Sequence, residues 1–205
     1  MPDLTDRTLI TEEDIRNVAA GATVTISEKA LVTPLAADVA SEKHIVLKRI
    51  TGPATKTPYA VGKIAIGADH GGFELKESLK AVLNDLGFEY QDFGTTSTVP
   101  VDYPDFAQAV ALAVARKTCR LGIMIDGAGI GSCMVANKVA GIRAAMCYDE
   151  ASARNSREHN GANVLTLGAK AISLEQMRNI VRTWLSTDLT EERHRRRVAK
   201  IDALL

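Results

Sequence analysis

"GIMIDGAGIGSCMVANK", residues 122–138, runs from an apolar stretch through three alternate glycines into a helix-like pattern. A buried strand, a glycine turn and a helix in that order are one step of a β-α repeat, and such repeats build a parallel sheet covered on both faces. The same order recurs on either side. "KIAIG" (63–67) precedes a helix pattern reaching Leu86, "FEYQDFG" precedes a helix from Pro104, and "RLGIMI" (120–125) leads into a helix from Gly131. "GIRAAMC" (141–147) is followed by a helix from Asp149, and "NVLTLG" (163–168) by one from Ser173. Five strands alternating with helices over residues 63–205 predict an α/β, Rossmann-like three-layer αβα sandwich with a mostly parallel five-stranded sheet.

Periodic structure stops at "TGPATKTPYAVG", where Gly, Thr and two prolines mark residues 51–62 as a linker. Residues 1–50 before it read as a small N-terminal helical extension. Thr11 caps a short helix with acids in its first turn and Gly21 as its stop, "TVTIS" is a brief strand, and Thr33 and Pro34 open a second helix with Leu35 and Val39 on one face. Its large apolar side chains are few, so the segment is expected to dock, on the main domain or on another chain, rather than stand alone.

Bulk composition excludes several function classes. Twenty-five basic residues balance twenty-five acidic ones, so no global field favours nucleic acid or an anionic membrane. The longest apolar runs, such as "AVALAVA" at 109–115, fall short of the roughly 20 residues that cross a bilayer. The N-terminus lacks the basic and apolar regions of a signal peptide, and a cytoplasmic protein is expected. Cys119, Cys133 and Cys147 are odd in number and lack C-x-x-C spacing, which argues for reduced thiols and against a structural metal site.

In open parallel sheets ligands bind beyond the carboxyl ends of the strands, so the residues just after each strand are the candidates. After the first come Asp69 and His70, which suit a site or a helix cap. After the second, Tyr103 is a substrate contact or a half-buried aromatic at a turn. After the third, Gly127, Ala128, Gly129, Ile130 and Gly131 let the backbone approach an anion at a helix N-terminus, with Asp126 at its mouth. A phosphate, carboxylate or enediolate fits there. So does a dinucleotide, since Gly127 and Gly129 match the first two glycines of G-x-G-x-x-G and Asp149 stands where a ribose-binding acid would; against this, the third glycine position is Ser132. After the fourth strand, His159 and Asn160 close a helix, as a cap or as a catalytic pair. In "TEERHRRRVAK" (190–200), Arg193 and Arg197 are one turn apart and can fork onto one phosphate, or form a solvated face with Glu191 and Glu192.

Together "GADHGGFELK", "DYPDFA", "GAGIGSCMVANKVAGIRAA", "SREHNGANVLTLGAK" and "ERHRRR" resemble, in order and spacing, the ribose-5-phosphate isomerase B family, which includes galactose-6-phosphate isomerase subunits. The resemblance covers residues 63 to about 202. It implies interconversion of aldose and ketose phosphates through a cis-enediolate, without metal or organic cofactor. The site would lie at the subunit interface of a homodimer or a dimer of dimers. It assigns Asp69 and His70 to sugar and phosphate binding, Tyr103 to substrate contact, His159 to ring opening, and Asn160 with Gly127–Gly131 to the enediolate. Arg193 and Arg197 would hold phosphate, with Lys170 where many members carry arginine.

The chain departs from that pattern at its base. Many members carry cysteine where this chain has Asp126, others a glutamate where it has Ser132, and the threonine two residues after the cysteine is Ala128. Two classes follow: an isomerase that uses Asp126 as base, or a sugar-phosphate-binding relative of lost catalytic power. "LVTPLAAD" in residues 31–38 resembles a segment attached to some bacterial microcompartment enzymes, which implies a shell or cargo partner for residues 1–50; the alternative is an extension that stabilises a dimer.

Overall fold

The computed structural model describes residues 3–4, 9–28, 30–50 and 62–204. The chain divides into two compact units with the boundary between Thr57 and Pro58. That boundary falls within the predicted linker, of which residues 51–61 lie outside the described residues.

The first unit contains β1 (Asp3–Leu4), β2 (Leu9–Ile10), α1 (Glu12–Arg16), β3 (Thr23–Ser27), β4 (Leu31–Val32), α2 (Pro34–Glu42) and β5 (Val46–Ile50). It is not the helical extension expected from sequence. Parallel pairing gives a three-stranded sheet of order β1-β3-β5 and a separate β2-β4 pair. Helix α1 opens where predicted, with the Asp14 carboxylate accepting from the N–H and hydroxyl of Thr11. It ends at Asn17, before Gly21, whose φ of 73° instead turns the chain toward β3. The segment has its own core of small aliphatics: Ile10, Ile15, Val24, Ile26, Ala36 and Ala40 are buried together. Alternation in β3 buries Val24 and Ile26 and leaves its threonines partly exposed, the period-two pattern of a one-sided sheet.

The second unit holds β6 (Ile64–Ala68), α3 (Phe73–Asp85), β7 (Tyr90–Asp92), α4 (Tyr103–Ala115), β8 (Leu121–Asp126), α5 (Ile130–Ala136), β9 (Ala144–Met146), α6 (Glu150–Glu158), β10 (Val164–Gly168), α7 (Leu174–Ser186) and α8 (Glu192–Asp202). Its five strands are all parallel, in the order β7-β6-β8-β10-β9. Strands β6, β8 and β10 are buried along their whole length, which is why they read as continuous apolar runs. One face packs Ile64, Ile66, Ile123, Ile125, Leu165 and Leu167 against Leu79, Leu83, Met177, Ile180 and Trp184 of α3 and α7. The other packs Ala65, Met124 and Val164 against Val110, Val114 and Ala136 of α4 and α5.

This order fixes where a ligand can enter. Strand β6 leaves into α3 on one face, β8 into α5 on the other, and the two strands are neighbours. Their loops part at the carboxyl edge and open the crevice of a topological switch point. A buried ion pair steadies its flank: Lys76 of α3, fully buried, bonds Glu77 at 2.8 Å and the Asp92 carboxylate at the end of β7. Lys80 adds a second contact to Asp92 at 2.8 Å. Burial opposes ionisation of Asp92, but the bonds from Lys76 and Lys80 outweigh it and hold the carboxyl below the usual range. Among the described residues no helix is long and apolar enough to cross a membrane.

Candidate active site

Asp126 ends β8 and is 4 % exposed. Its carboxylate folds back over the start of α5 and accepts four hydrogen bonds. Oδ1 takes the N–H of Ala128 at 2.8 Å and that of Gly129; Oδ2 takes the N–H of Ser132 at 3.1 Å and the Ser132 hydroxyl. A carboxylate offers about four lone-pair sites, and all are occupied. The residue predicted as a base is therefore also the cap of α5, meeting the helix N-terminus with a negative charge.

That cap redistributes the predicted anion cradle. The N–H groups of Ala128 and Gly129 are spent on Asp126 and cannot also hold a ligand. Among the described residues, those of Gly127, Ile130 and Gly131 have no acceptor within the chain, so they are the donors left for an oxyanion. Gly129 makes the turn possible. Its φ is 81°, and a Cβ there would stand 2.9 Å from the carbonyl carbon of Leu167. The Thr166 hydroxyl donates to its carbonyl at 2.8 Å. Lys170 follows β10 beside the same loop; its N–H donates to Gly127 O at 3.1 Å, and its exposed side chain runs past Gly127.

The loop after β6 supplies the opposite wall. Asp69 is 7 % exposed and its Oδ1 accepts the Gly72 N–H at 2.9 Å, which starts α3. The Nδ1 of His70 lies 3.2 Å from both the N and the O of Val101, tying the loop before α4 to this wall. Tyr103 is the first residue of α4 and 38 % exposed. Its ring packs against Gly131, where a Cβ would meet ring carbons at 2.6 and 2.7 Å. Asp69, His70, Tyr103, Asp126–Gly131 and Lys170 are thus gathered at one edge of the sheet.

The other predicted residues are not with them. His159 caps the C-terminus of α6, its Nδ1 3.0 Å from Asn155 Nδ2, and Asn160 is exposed beside it. Both lie just before β10, at the amino edge of the sheet. Arg193 and Arg197 are exposed on α8, and Arg193 Nε contacts Glu191 at 2.5 Å. What joins α6 to α8 is a residue without a role in the sequence reading. His194 is 4 % exposed and stacks on His159 with ring centroids 4.3 Å apart and planes at 17°. Its Nε2 is buried without a hydrogen-bond partner, 3.8 Å from the Glu191 carboxylate. Burial first, then His159 and Arg193, push this imidazole below its ordinary value. Its position at the centre of a basic run gave no signal to separate it from the neighbouring arginines. Ser132 was likewise noted only as a departure.

One alternative falls away. Asp149, the candidate ribose ligand, caps α6 by accepting from the Ser152 N–H at 2.7 Å and hydroxyl at 2.6 Å, and Ser132 is buried on Asp126 where a dinucleotide fold needs its third glycine. Cys133 lies within α5 and its Sγ faces the Ala144 carbonyl at 3.4 Å.

The profile of the Ribose/Galactose Isomerase family matches residues 64–201. The chain belongs to this family of isomerases. It is 46 % identical over 142 residues to ribose-5-phosphate isomerase B of Escherichia coli, covering 69 % of this chain and 95 % of that one. It is 41 % identical over 127 residues to the D-erythrulose-4-phosphate isomerase of Pectobacterium atrosepticum, covering 61 % of this chain and 83 % of the relative. The Clostridium thermocellum ribose-5-phosphate isomerase B structure aligns at a TM-score of 0.68 with 48 % identity, over 69 % of this chain and 96 % of that one. The type B enzyme of Trypanosoma brucei aligns at 0.68 with 44 % identity, over 70 % and 98 %.

Proposed function

We propose that this isomerase interconverts an aldose phosphate and its ketose phosphate, with ribose 5-phosphate and ribulose 5-phosphate as the leading pair, at a site completed by a second copy of the chain. One carbon is oxidised as its neighbour is reduced, so the reaction needs no outside electron carrier.

One observation carries the shared site. The carboxyl-edge group and the group of His159, Asn160, Arg193 and Arg197 are separated by the five residues of β10, about 16 Å at roughly 3.3 Å per residue. A single pentose phosphate does not reach from one to the other. Two copies facing each other bring the free N–H groups of one loop against the histidine and arginines of the other. There the histidine opens the ring and the arginines bind phosphate. The test mixes His159→Ala chains with Asp69→Asn chains. Recovery of up to about a quarter of the activity, from mixed dimers with one intact site, is expected; two inactive variants that stay inactive after subunit exchange refute a shared site.

Sugar length is decided by assay, because the relatives include both pentose- and tetrose-phosphate isomerases. NMR on a panel of aldose and ketose phosphates of four to six carbons reads interconversion directly. A second reading has its own support: the filled lone pairs of Asp126 fit a chain that binds sugar phosphate without turning it over. Loss of the substrate's C2 proton to solvent, catalysed by the purified protein, refutes that reading.

For the first unit we propose docking to a microcompartment shell or cargo protein. Folding accounts for most of the "TPLAAD" motif: Thr33 caps α2 by accepting the Ala36 N–H at 3.2 Å, Pro34 takes its first turn, and Ala36 is buried. Leu35 and Asp38 are left exposed. Co-sedimentation with shell proteins that survives Leu35→Glu refutes this role for the motif.

A further inference from the structure

Taking a proton from carbon requires a base with a lone pair free to face that carbon. At Asp126 every lone-pair site is held, two of them by Ser132. Accepting a proton there means breaking a bond that starts α5. Cys133 points its sulfur at Ala144. We propose that Asp69 is the group that takes and returns the carbon-bound proton in this chain, while Asp126 holds the loop that receives the enediolate oxygen. The assignment rests on the aldose-ketose reading above.

Three features carry it. The register pairs Ala68 with Ile125, so Asp69 and Asp126 end adjacent strands side by side, about 4.8 Å apart along the sheet. Asp69 therefore addresses the same crevice. It is buried, yet only Oδ1 has a donor, the Gly72 N–H at 2.9 Å; among the described residues Oδ2 has none. It is also anchored at both ends, since its own N–H donates to Ile125 O at 3.3 Å and its carbonyl accepts from Gly72. A fixed carboxylate with one unengaged oxygen at the switch point is what the reaction asks of a base.

The step balances without a co-reactant. Asp69 takes the proton from C2 of the open-chain aldose, and the C–H pair becomes the C1=C2 bond. The carbonyl pair moves onto O1, which the free N–H groups of Ile130 and Gly131 receive. The O2 proton passes to O1, C2=O2 forms, and the C1=C2 pair takes the proton from Asp69 to make the new C1–H bond.

The experiment follows C2 proton loss in D2O by NMR, using D-erythrose 4-phosphate, D-ribose 5-phosphate and D-allose 6-phosphate. Asp69→Asn keeps the oxygen that caps α3, so the variant folds. It is expected to lose roughly a hundred- to ten-thousandfold of the exchange rate, with inorganic phosphate affinity changed less than threefold. Asp126→Ser is expected to lose at least tenfold less than Asp69→Asn, measured at a temperature where both are folded by circular dichroism. Exchange by Asp69→Asn within tenfold of the unmodified chain overturns the assignment, as does an Asp126→Ser loss equal to or larger than its own. An unmodified chain that exchanges none of the three sugars overturns the aldose-ketose reading and the assignment with it.

Discussion

Replacing Asp126 by Asn measures how far the site's architecture depends on one carboxylate. The amide keeps one oxygen, which can still accept two donors, but turns its NH2 toward the other two. With Oδ1 retained as oxygen, the N–H of Ser132 faces a donor instead of an acceptor, while the Ser132 hydroxyl turns to accept from the amide. Each lost bond to a charged, buried acceptor is worth about 1.5–3 kcal/mol. Removing the negative charge from the start of α5 adds about 0.3–1 kcal/mol. With one bond lost, the expected loss is roughly 2–4 kcal/mol, a sizeable share of the 5–15 kcal/mol typical of a domain. At roughly 2–4 °C per kcal/mol for a chain of this size, the melting temperature falls by on the order of 5–15 °C. Trp184 is the chain's single tryptophan and is fully buried in the second unit, so its fluorescence follows that unit alone. A shift below about 3 °C refutes the capping role and returns Asp126 to the list of available bases.

Three further substitutions test neighbouring parts. Gly129→Ala places a side chain at φ 81° and 2.9 Å from the backbone of Leu167; strain and overpacking together are expected to remove roughly 2–5 kcal/mol in urea unfolding. Gly131→Ala meets the Tyr103 side chain first, at 2.6 Å, and that half-exposed ring can swing outward. Stability is expected to change by less than about 1 kcal/mol while KM for the aldose phosphate rises several-fold in steady-state kinetics. For His194, burial, His159 and Arg193 lower the folded-state value, so the unfolded chain binds this proton first. Its contribution is complete above the unfolded value near pH 6.5 and is lost as pH falls from there toward the folded value. His194→Phe keeps the stack without the titration, and its melting temperature is expected to fall less than that of the unmodified chain between pH 7 and 5.

The sheet was legible in the sequence because three of its strands are buried on both faces and carry unbroken apolar runs, and because capping residues such as Asp149 and Ser173 mark where helices begin. The first unit was misread for the opposite reason. Strands β1, β2 and β4 are only two residues each and too short to show a period, so its helices and β3 were visible and the sheets they pair into were not. At the site, residue types near strand ends were readable, but hydrogen-bond direction was not. "GAGIG" announces exposed N–H groups without saying that Asp126 takes two of them.

The two departures from the family's pattern, Asp126 and Ser132, become one feature in the fold. The resemblance sets them where many members carry alternative bases, and here they are bonded to each other through both the N–H and the hydroxyl of Ser132. A glutamate at 132 would set a second negative charge against a buried carboxylate, and like charges at that range disfavour each other's ionisation. Serine relieves the conflict by donating. A cysteine at 126 would leave most of these donors with a weak acceptor, so aspartate at this position belongs with a tightly closed loop. The geometry that makes Asp126 a good cap occupies the lone pairs a base would use. Asp69 ends the neighbouring strand with one oxygen unengaged, so the loop can be rigid and the crevice can still hold a carboxylate open to a substrate carbon.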